Sequence, residues 1–476
     1  MKKLQDVLAG VAVTAEQADI TALVCDSRKV VPGCAFVCID GVAVDGHTFA
    51  AAALEAGAAA LIVQRDLGLP HQVIVEDTRL AWALMSANWF DHPAEKLKII
   101  GITGTNGKTS TTYMIKQMLE ACGYKVGLCG TIQNLIGDRA VATGHTTPDA
   151  YELQELFAAM VAEHCDYAVM EVSSHALDQH RVAAVPFVAG VFTNLTQDHL
   201  DYHKTMENYC DAKRRLFEHS AVAIVQANDP WTKRITAGLT CPILTFSNGE
   251  GGTYTADDVE YLPDGVTFTV NGPSVSGRVK LAIPGEFSVC NAMGAIVTAL
   301  AIGLPFDTVC AAVGAMTGVK GRAEIVPTGR DFTVVIDYAH TPDGLEKICQ
   351  ALHHGLKGRL VTLFGCGGDR DRTKRPKMGA AAAALSDFLI VSSDNPRSEE
   401  PEAIIEEILP GIPDDTPYVV IPDRAEAVRW AIENAQPGDT ILLAGKGHET
   451  YQIIKTGSIH LDEREIIQEV LQGKKD

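Results

Sequence analysis

The 476-residue sequence lacks several features that mark whole classes of protein. No uninterrupted apolar run reaches the roughly 18 residues that a membrane-crossing helix needs. None of its twelve cysteines stands in a CxxC pair, and most lie in apolar segments. This pattern argues against a disulfide framework and favours a reducing cytoplasm. The first residues are basic, as in a signal peptide, but Gln5, Asp6 and Glu16 interrupt the segment, so we expect no signal peptide.

Positive charge is also scarce. The chain has 40 Lys and Arg against 60 Asp and Glu, which gives a net charge of −20. This excess of negative charge opposes general binding to nucleic acid or to an anionic membrane. An anionic substrate would therefore have to be bound by local clusters of Arg and Lys. With 46% hydrophobic and 21% charged residues, the composition is that of a globular chain, and its length predicts two to four domains.

The alternation of short apolar runs with helical patterns predicts an α/β protein of three units. Residues 1–95 form a small α/β unit, with a helix predicted over Phe49 to Ala60. The pattern in residues 96–325 predicts a mainly parallel sheet flanked by helices. Within this unit, Thr253 to Val270 predicts a β-meander. Residues 326–476 predict a doubly wound, Rossmann-type sheet. Its strands are predicted at Val334–Ile336, Leu360–Phe364, Phe388–Val391, Tyr418–Ile421 and Thr440–Leu443.

A glycine-rich segment at the start of the second unit has the layout of a phosphate-binding loop. The apolar run Ile99–Ile102 predicts a strand, Gly104 and Gly107 follow, and Lys108-Thr109 opens a helix that extends to about Cys122. Backbone N–H groups and the helix dipole attract phosphate, while Lys108 and the Thr109 hydroxyl suit the β- and γ-phosphates and a Mg²⁺ ion. Ile102 stands where the common loop has glycine, so an ordinary strand-to-helix turn remains the alternative.

Polar side chains follow two other predicted strands of this unit. Glu171 ends one strand, and the segment after the other contains His199 and His203. Ligands of open α/β sheets lie beyond the carboxyl ends of the strands, so we expect these groups at one site. A carboxylate and an imidazole there could hold a metal ion, although each histidine taken alone could be a structural residue.

These segments resemble motifs of the Mur ligase family, whose ATP-dependent enzymes join amino acids to the peptide of cell-wall precursors. The matching stretches are Gly-Thr-Asn-Gly-Lys-Thr at 104–109, Glu-Val-Ser-Ser-His at 171–175 and Asp-His-Leu-Asp-Tyr-His at 198–203. The resemblance covers nearly the whole chain. It implies a three-domain architecture with a central P-loop parallel-sheet domain and a C-terminal Rossmann-like domain.

The resemblance also implies a nucleotide and metal site. The ATP-binding residues would be Gly104, Thr105, Asn106, Gly107, Lys108, Thr109, Ser110, Asn291, Arg322 and Asp337. Thr109, Glu171, His199 and Lys213 would bind Mg²⁺, and Lys108, Glu171, His199 and Lys213 would be catalytic. Spacing alone predicts that Lys213 is a surface lysine on an amphipathic helix. In the family the lysine at this position reacts with carbon dioxide, and the carbamate supplies an oxygen ligand.

Two substrate sites complete the implied set. The UDP-sugar-peptide would be bound by Cys25, Ser27, Thr146, Thr147, Ser173, Gln179 and Arg181. On chemistry alone, the Asp-Ser-Arg segment at 26–28 favours a polar turn over a binding site. The incoming amino acid would be bound by Arg370, Asp394, Asn395, Pro396, Arg397, Gly445 and Glu449, in segments that follow strands of the third unit. Without the resemblance, these side chains could be solvated loop charges.

Arg397 favours one amino acid. meso-Diaminopimelate carries a second carboxylate that lysine lacks, and an arginine left without a partner at that position would be costly. Lysine-adding relatives usually lack arginine there. Glu449 can pair with an ammonium group. The residues and the resemblance together therefore predict preference for meso-diaminopimelate over L-lysine.

The function implied is that of an ATP-dependent ligase in peptidoglycan precursor synthesis. It would add meso-diaminopimelate to the D-Glu side-chain carboxylate of UDP-MurNAc-L-Ala-D-Glu through an acyl phosphate, with ATP, Mg²⁺ and carbon dioxide. We expect a cytoplasmic monomer, no nucleic acid partner and no membrane insertion. Two alternatives stay open: a folate-polyglutamate or other Mur-type ligase, and a P-loop NTPase switch or kinase that acts on a protein. The Asp394–Arg397 cluster disfavours the first, and the second leaves the arginine clusters of the third unit unused.

Overall fold

The chain forms an α/β structure with three main sheets, described by a computed structural model for residues 1–41, 44–262, 265–316, 318–353 and 356–473. The first unit contains the antiparallel pair β1 and β2 and a parallel sheet in the order β3-β4-β5-β6. Its elements are β1 Lys2–Lys3, α1 Leu4–Val7, β2 Asp19–Ile20, β3 Leu23–Val24, β4 Ala35–Val37, α2 Ala50–Glu55, β5 Ala60–Val63, β6 Gln72–Ile74 and α3 Thr78–Trp89.

The predicted helix from Phe49 to Ala60 is too long. A 3₁₀ turn occupies Gly46–Phe49 and α2 ends at Glu55. Gly57 then adopts φ 95°, a left-handed conformation that stops the helix and turns the chain into β5.

An 11-stranded sheet forms the centre of the molecule, in the order β10-β9-β8-β11-β7-β12-β13-β14-β15-β16-β17. Its first elements are β7 Lys98–Thr103, α4 Lys108–Ala121, β8 Val126–Cys129, β9 Asn134–Ile136, β10 Arg139–Val141, α5 Ala150–Ala162, β11 Tyr167–Glu171, α6 Ser174–Asp178 and β12 Phe187–Phe192. The remaining elements are α7 Leu200–His203, α8 Met206–Arg214, β13 Ala223–Gln226, α9 Thr232–Thr236, β14 Ile243–Asn248, β15 Tyr254–Leu262, β16 Gly265–Gly272, β17 Val275–Leu281, α10 Glu286–Ala301 and α11 Phe306–Gly314.

The seven neighbouring strands β8-β11-β7-β12-β13-β14-β15 pair in parallel, and β7 lies in the interior of the sheet. Ile100 and Ile102 of β7 pack into one hydrophobic cluster and Ile99 into another, so both faces are covered. A parallel sheet covered on both sides needs such a continuous apolar run, which is why the run predicted the strand. The predicted meander is confirmed as the antiparallel strands β15 and β16, which β17 extends. The Pro-Asp-Gly segment at 263–265 predicts the turn of this meander, and its first two residues lie outside the described residues.

The third sheet has the order β18-β19-β23-β20-β21-β22 and is parallel except for β18. This unit also contains the antiparallel pair β24 and β25. The elements are β18 Glu324–Val326, β19 Thr333–Asp337, α12 Pro342–His353, β20 Leu360–Phe364, α13 Arg375–Ala383, β21 Phe388–Val391, α14 Pro401–Ile408, β22 Tyr418–Val420, α15 Arg424–Glu433, β23 Thr440–Ala444, β24 Tyr451–Ile454, β25 Gly457–His460 and α16 Glu463–Leu471. All five predicted strands are present. The domain bounds at residues 95 and 325 stay a prediction.

No helix within the described ranges is both long and apolar enough to cross a membrane.

Candidate active site

The loop between β7 and α4 packs closely against its neighbours. Gly104 and Gly107 adopt φ 149° and 86°. A side chain at Gly104 would collide with the Thr193 hydroxyl, and one at Gly107 would collide with the amide oxygen of Asn291. At both positions glycine is required for two reasons: the backbone conformation disfavours other residues, and there is no space for a side chain. The tight turn brings the N-terminus of a 14-residue helix to the end of a buried strand, as a phosphate site requires.

Two lysines meet at the carbonyl of Gly104. Lys108 Nζ lies 2.9 Å from this oxygen and 2.9 Å from the carbonyl of Thr105. Lys213 Nζ, from α8, lies 2.9 Å from the same Gly104 oxygen and 4.5 Å from the ring centre of Tyr209. Lys213 is only 1% exposed, so the expectation from spacing alone, a surface lysine, is wrong. The periodicity of α8 cannot show that a distant loop covers this face.

Burial lowers the basicity of both amines. Desolvation, with repulsion from Lys108, lowers the pKa of Lys213 well below its usual value. Desolvation also lowers the pKa of Lys108, which Glu171 and Asp198 partly oppose. The lowered pKa increases the share of neutral Lys213, and a neutral amine is the form that reacts with carbon dioxide.

The carboxylate of Glu171 binds the start of α4, directly after the loop. This carboxylate is 1% exposed and accepts hydrogen bonds from the Thr109 hydroxyl at 3.0 Å, from Thr131 N at 2.9 Å and from the Thr131 hydroxyl at 3.0 Å. Arg322 Nη2 donates to the Thr109 hydroxyl at 3.2 Å. Thr109, Glu171 and Arg322 therefore lie together, although they belong to three distant segments.

His199 adopts φ 54° and lies in a cluster of histidine rings. Its ring centre is 4.8 Å from that of His175, and Nε2 is 3.4 Å from the Asp198 carboxylate. Desolvation, together with His175 and the two lysines, lowers the pKa of His199 to about 4, against the attraction of Asp198. The imidazole is therefore neutral near pH 7, which is the form that ligates metals. No direct contact joins His199 to Glu171 in the part of the chain that the structure describes.

The donor groups suit a hard cation that is only partly bound by protein. Thr109 and Glu171 offer oxygen, His199 offers a neutral nitrogen, and a carbamate on Lys213 would add oxygen. Within the described ranges no three His, Cys, Asp or Glu side chains form a ready-made metal centre. Mg²⁺ is commonly held by one or two carboxylates together with substrate phosphates, so this sparse set fits Mg²⁺ better than it fits a structural metal.

The other predicted nucleotide residues lie in this loop, in α4 and at the end of β19. Thr105 donates to the carbonyl of Thr196 at 3.2 Å, and the side chain of Asn106 donates to Asp343 of α12 at 2.9 Å. Ser110 lies half-buried in the first turn of α4. Asp337 accepts from the backbone N–H groups of residues 323 and 339 at 2.7 and 2.8 Å, and burial raises its pKa.

Five of the seven residues predicted to bind the sugar-peptide form one network. The Thr147 hydroxyl donates to the Glu171 carbonyl at 3.0 Å and accepts from Ser173 N at 3.0 Å. Arg181 donates from Nη1 to the carbonyl of Thr147 at 3.0 Å and from Nη2 to Gln179 Oε1 at 2.7 Å. Thr146 joins through the Thr131 hydroxyl, 3.0 Å away. The network therefore begins at the carbonyl of a predicted metal ligand.

Cys25 and Ser27 belong to the first unit and do not join this network. Cys25 packs against a hydrophobic cluster that includes Ala150 of α5, and burial raises the pKa of its thiol to about 12. Trp82 Nε1 donates to Asp149 Oδ1 at 2.6 Å, which fixes the first unit beside α5. Ser27 lies half-buried in a 3₁₀ turn of the same unit.

The seven residues predicted to bind the amino acid lie in the segments after β20, β21 and β23. Arg397 adopts φ 54° and donates from Nη1 to the carbonyls of Gly368 at 2.9 Å and Asn395 at 3.3 Å. Burial, with repulsion from the exposed Arg370, lowers the pKa of Arg397. Asn395 Nδ2 lies 3.0 Å from Glu449 Oε2.

The other three of these residues shape the wall of the same cluster. Asp394 is 7% exposed, and a side chain at Gly445 would lie 2.5 Å from its carboxylate. The carbonyl of Pro396 packs against Gly368, where a side chain would collide with it. The cluster thus joins two guanidinium groups and two carboxylates, which together can pair with both charges of a zwitterion.

Several site residues were missed by sequence reasoning. Thr131 follows β8, Asn194 follows β12 and Lys446 follows β23, so the strand-end rule could have found each of them. Asn194 accepts from Asn106 N at 3.0 Å and donates to its carbonyl at 3.0 Å, and so fixes the loop backbone. Asp343 had no signal in the sequence beyond its place in the first turn of α12.

This fold and site define a Mur ligase, and three family models match the chain. The Mur ligase family catalytic domain matches residues 19–82, the Mur ligase middle domain matches 102–299, and the Mur ligase glutamate ligase domain matches 321–447. The chain belongs to the Mur ligase family, and the predicted three-domain α/β fold class is confirmed.

Individual ligases are similar to this chain over nearly its whole length. The UDP-N-acetylmuramoyl-L-alanyl-D-glutamate–2,6-diaminopimelate ligase of Caldanaerobacter subterraneus is 48% identical over 458 residues, 95% of each chain. Ligase 1 of the same name from Clostridium acetobutylicum is 47% identical over 452 residues, 94% of each chain. A solved structure of a ligase of this name superposes with a TM-score of 0.72 at 32% identity, over 99% of each chain.

Proposed function

We propose that this chain is an ATP-dependent ligase that joins meso-diaminopimelate to the D-Glu side-chain carboxylate of UDP-MurNAc-L-Ala-D-Glu, in peptidoglycan precursor synthesis. The observation that carries the proposal is the cluster of Arg397, Asn395 and Glu449 after the strands of the third unit. The names of the similar chains support the same substrates.

The first step is phosphoryl transfer. The D-Glu carboxylate attacks the γ-phosphorus of ATP, the bond to the β–γ bridging oxygen breaks, and an acyl phosphate and ADP result. Lys108 releases the carbonyls of Gly104 and Thr105, which it now contacts, and turns towards the phosphates. Phosphorylation is needed because a carboxylate has no adequate leaving group.

Mg²⁺ would be held by Thr109, Glu171, His199 and the carbamate of Lys213, and it would offset negative charge on the phosphates. Carbamylation forms a bond between Lys213 Nζ and the carbon of carbon dioxide and releases one proton. The change places an anion beside Lys108, where the amine of Lys213 had its pKa lowered by burial and by repulsion from Lys108.

The second step is attack by the amino group of diaminopimelate on the acyl carbon, with loss of phosphate. The amine must be neutral to attack, and water must be kept away because it would hydrolyse the acyl phosphate. Asp343 of the third unit already contacts Asn106 of the nucleotide loop at 2.9 Å. Motion of the third unit would therefore shift Asn106 and the nucleotide loop that holds the phosphates.

The decisive experiment is a product assay by mass spectrometry across a panel of amino acids, with ADP release measured in parallel. The expected product has the mass of the diaminopimelate adduct, and ADP release should require both the nucleotide-sugar peptide and the amino acid. ATP turnover with neither substrate would instead support an NTPase switch.

The proposal also includes the domain bounds at residues 95 and 325, a monomeric chain and a cytoplasmic location. A role in cell shape and division would follow from supply of the cell-wall precursor.

A further inference from the structure

A lysine that has no assigned role lies at the centre of the amino-acid cluster. Lys446 is fully buried, and its side chain is 0% exposed. Nζ donates to Glu449 Oε2 at 2.6 Å and to Asn395 Oδ1 at 2.9 Å, and it lies 5.4 Å from the ring centre of Tyr451. A buried ammonium group is costly unless it is paired and hydrogen-bonded, and both of these partners are predicted ligands of the amino acid.

Two glycines place this lysine. Gly445 and Gly447 follow β23 with φ 113° and 53°, conformations that disfavour other residues. A side chain at Gly445 would lie 2.5 Å from the Asp394 carboxylate, and one at Gly447 would lie 2.7 Å from the Tyr338 Cβ. The chain can therefore turn sharply on both sides of Lys446 and direct its side chain inward.

Lys446 determines which way the amide of Asn395 faces. The ammonium group and Ile453 N are donors only, and they lie 2.9 and 2.8 Å from the same side-chain atom of Asn395. Only the amide oxygen can accept from both, so the nitrogen must face Glu449, where Nδ2 donates to Oε2 at 3.0 Å. The orientation of this amide follows from its partners.

The same contacts leave one donor and one acceptor for a ligand. Glu449 Oε2 accepts from both Lys446 and Asn395, while Oε1 has no hydrogen-bond partner among the described residues. Asn395 Nδ2 uses one N–H on Glu449 and has a second N–H to donate. An amide N–H beside a carboxylate oxygen matches the carboxylate and the ammonium group of one amino-acid centre.

We propose that Lys446 is a positioning residue for the incoming amino acid, which it orders through Asn395 and Glu449 without touching the ligand. This inference rests on the proposed function. Without the ammonium group, the Asn395 amide could rotate and the Glu449 carboxylate would lose its charged partner. The amino acid would then meet a mixture of site conformations, and its apparent affinity would fall.

The test is steady-state kinetics of the full chain with Lys446→Met, which keeps the length of the side chain and removes its charge. We expect the KM for meso-diaminopimelate to rise at least ~10-fold, while the KM values for ATP and the nucleotide-sugar peptide stay within ~2-fold. Lys116→Met is the matched control, because Lys116 is also buried and paired with one glutamate, Glu120, outside the proposed site. It should leave all three KM values unchanged.

A double-mutant cycle separates positioning from a general effect on folding. Removal of both charges in Lys446→Met/Glu449→Gln avoids an unpaired charge, so this variant should fold even if the single variant does not. If Lys446 acts through Glu449, the fold-increase in KM of the double variant should be at least ~3-fold smaller than the product of the fold-increases of the two single variants.

Three outcomes would overturn the inference. Multiplicative effects, an unchanged KM in Lys446→Met, or equal rises in all three KM values would each do so. A wild-type chain that makes no diaminopimelate product would instead refute the proposed function, and this inference with it.

Discussion

Arg397 gives the sharpest test of amino-acid choice. Its Nη1 group contacts the carbonyls of Gly368 and Asn395 at 2.9 and 3.3 Å, while Nε and Nη2 have no hydrogen-bond partner among the described residues. These two groups form one edge of the guanidinium, which is the edge that binds a carboxylate in bidentate fashion. Repulsion from Arg370 contributes to the lowered pKa of Arg397, so an anionic ligand between them would be favoured.

The expected loss can be estimated from these contacts. Hydrogen bonds to charged groups contribute about 1.5–3 kcal/mol, so Arg397→Ala should cost about 2.7 kcal/mol of transition-state binding. That corresponds to a decrease of at least ~10²-fold in kcat/KM for meso-diaminopimelate. L-Lysine lacks the second carboxylate, so its lower kcat/KM should change by less than ~3-fold.

Backbone conformation provides an internal check on this variant. Arg397 has φ 54°, a region that costs a residue other than glycine about 1 kcal/mol or more. Arg397→Gly should therefore lose diaminopimelate use like Arg397→Ala, yet melt at a higher temperature than the alanine variant. Arg372→Ala is the control, because Arg372 is an exposed arginine of the same unit that pairs with Glu407. Unchanged diaminopimelate kinetics in Arg397→Ala, or a wild-type preference for L-lysine, would refute the reasoning.

Three further predictions concern the nucleotide loop. Lys108→Ala should abolish ADP formation while circular dichroism stays unchanged, and near-normal turnover would remove the phosphate-binding assignment. Lys213→Ala should be nearly inactive and partly restored by short carboxylates; ¹³C NMR with labelled carbon dioxide should detect a carbamate in the wild type only, and its absence from a fully active sample would count against the modification. Asp343→Ala and Asn106→Ala should each raise the KM for ATP, with coupling of about 0.5–1.5 kcal/mol in the double variant, because they share a 2.9 Å hydrogen bond. Fully additive effects would mean that this contact does not matter for ATP binding.

The strands of the third unit could be predicted because their burial is written into the sequence. Leu360–Phe364 and Phe388–Val391 have the predicted bounds, since each is a mostly apolar run bounded by a polar residue or a glycine. The short antiparallel strands β9, β10 and β18 were not predicted. They are only three residues long, and such short segments carry too little periodicity to distinguish a strand from a loop.

The candidate site could be predicted by segment but not by atom. The rule that ligands lie beyond the carboxyl ends of parallel strands identified the segments that contain Glu171, His199, Arg397 and Glu449. It gave no information on which groups meet, because that depends on contacts between distant parts of the chain. Thr109 and Glu171 are 62 residues apart, and Lys213 and Gly104 are 109 apart.

Lys213 shows the physical reason for this limit. On α8 it occupies a position that periodicity assigns to the surface, yet the loop after β7 covers it and desolvation lowers its pKa. Its chemistry is therefore set by a neighbour that its own segment does not encode. The same holds for Asn106, whose partner Asp343 lies 237 residues away in the third unit. The contact from Asp343 to Asn106 therefore links the nucleotide loop to the unit that we propose binds the amino acid.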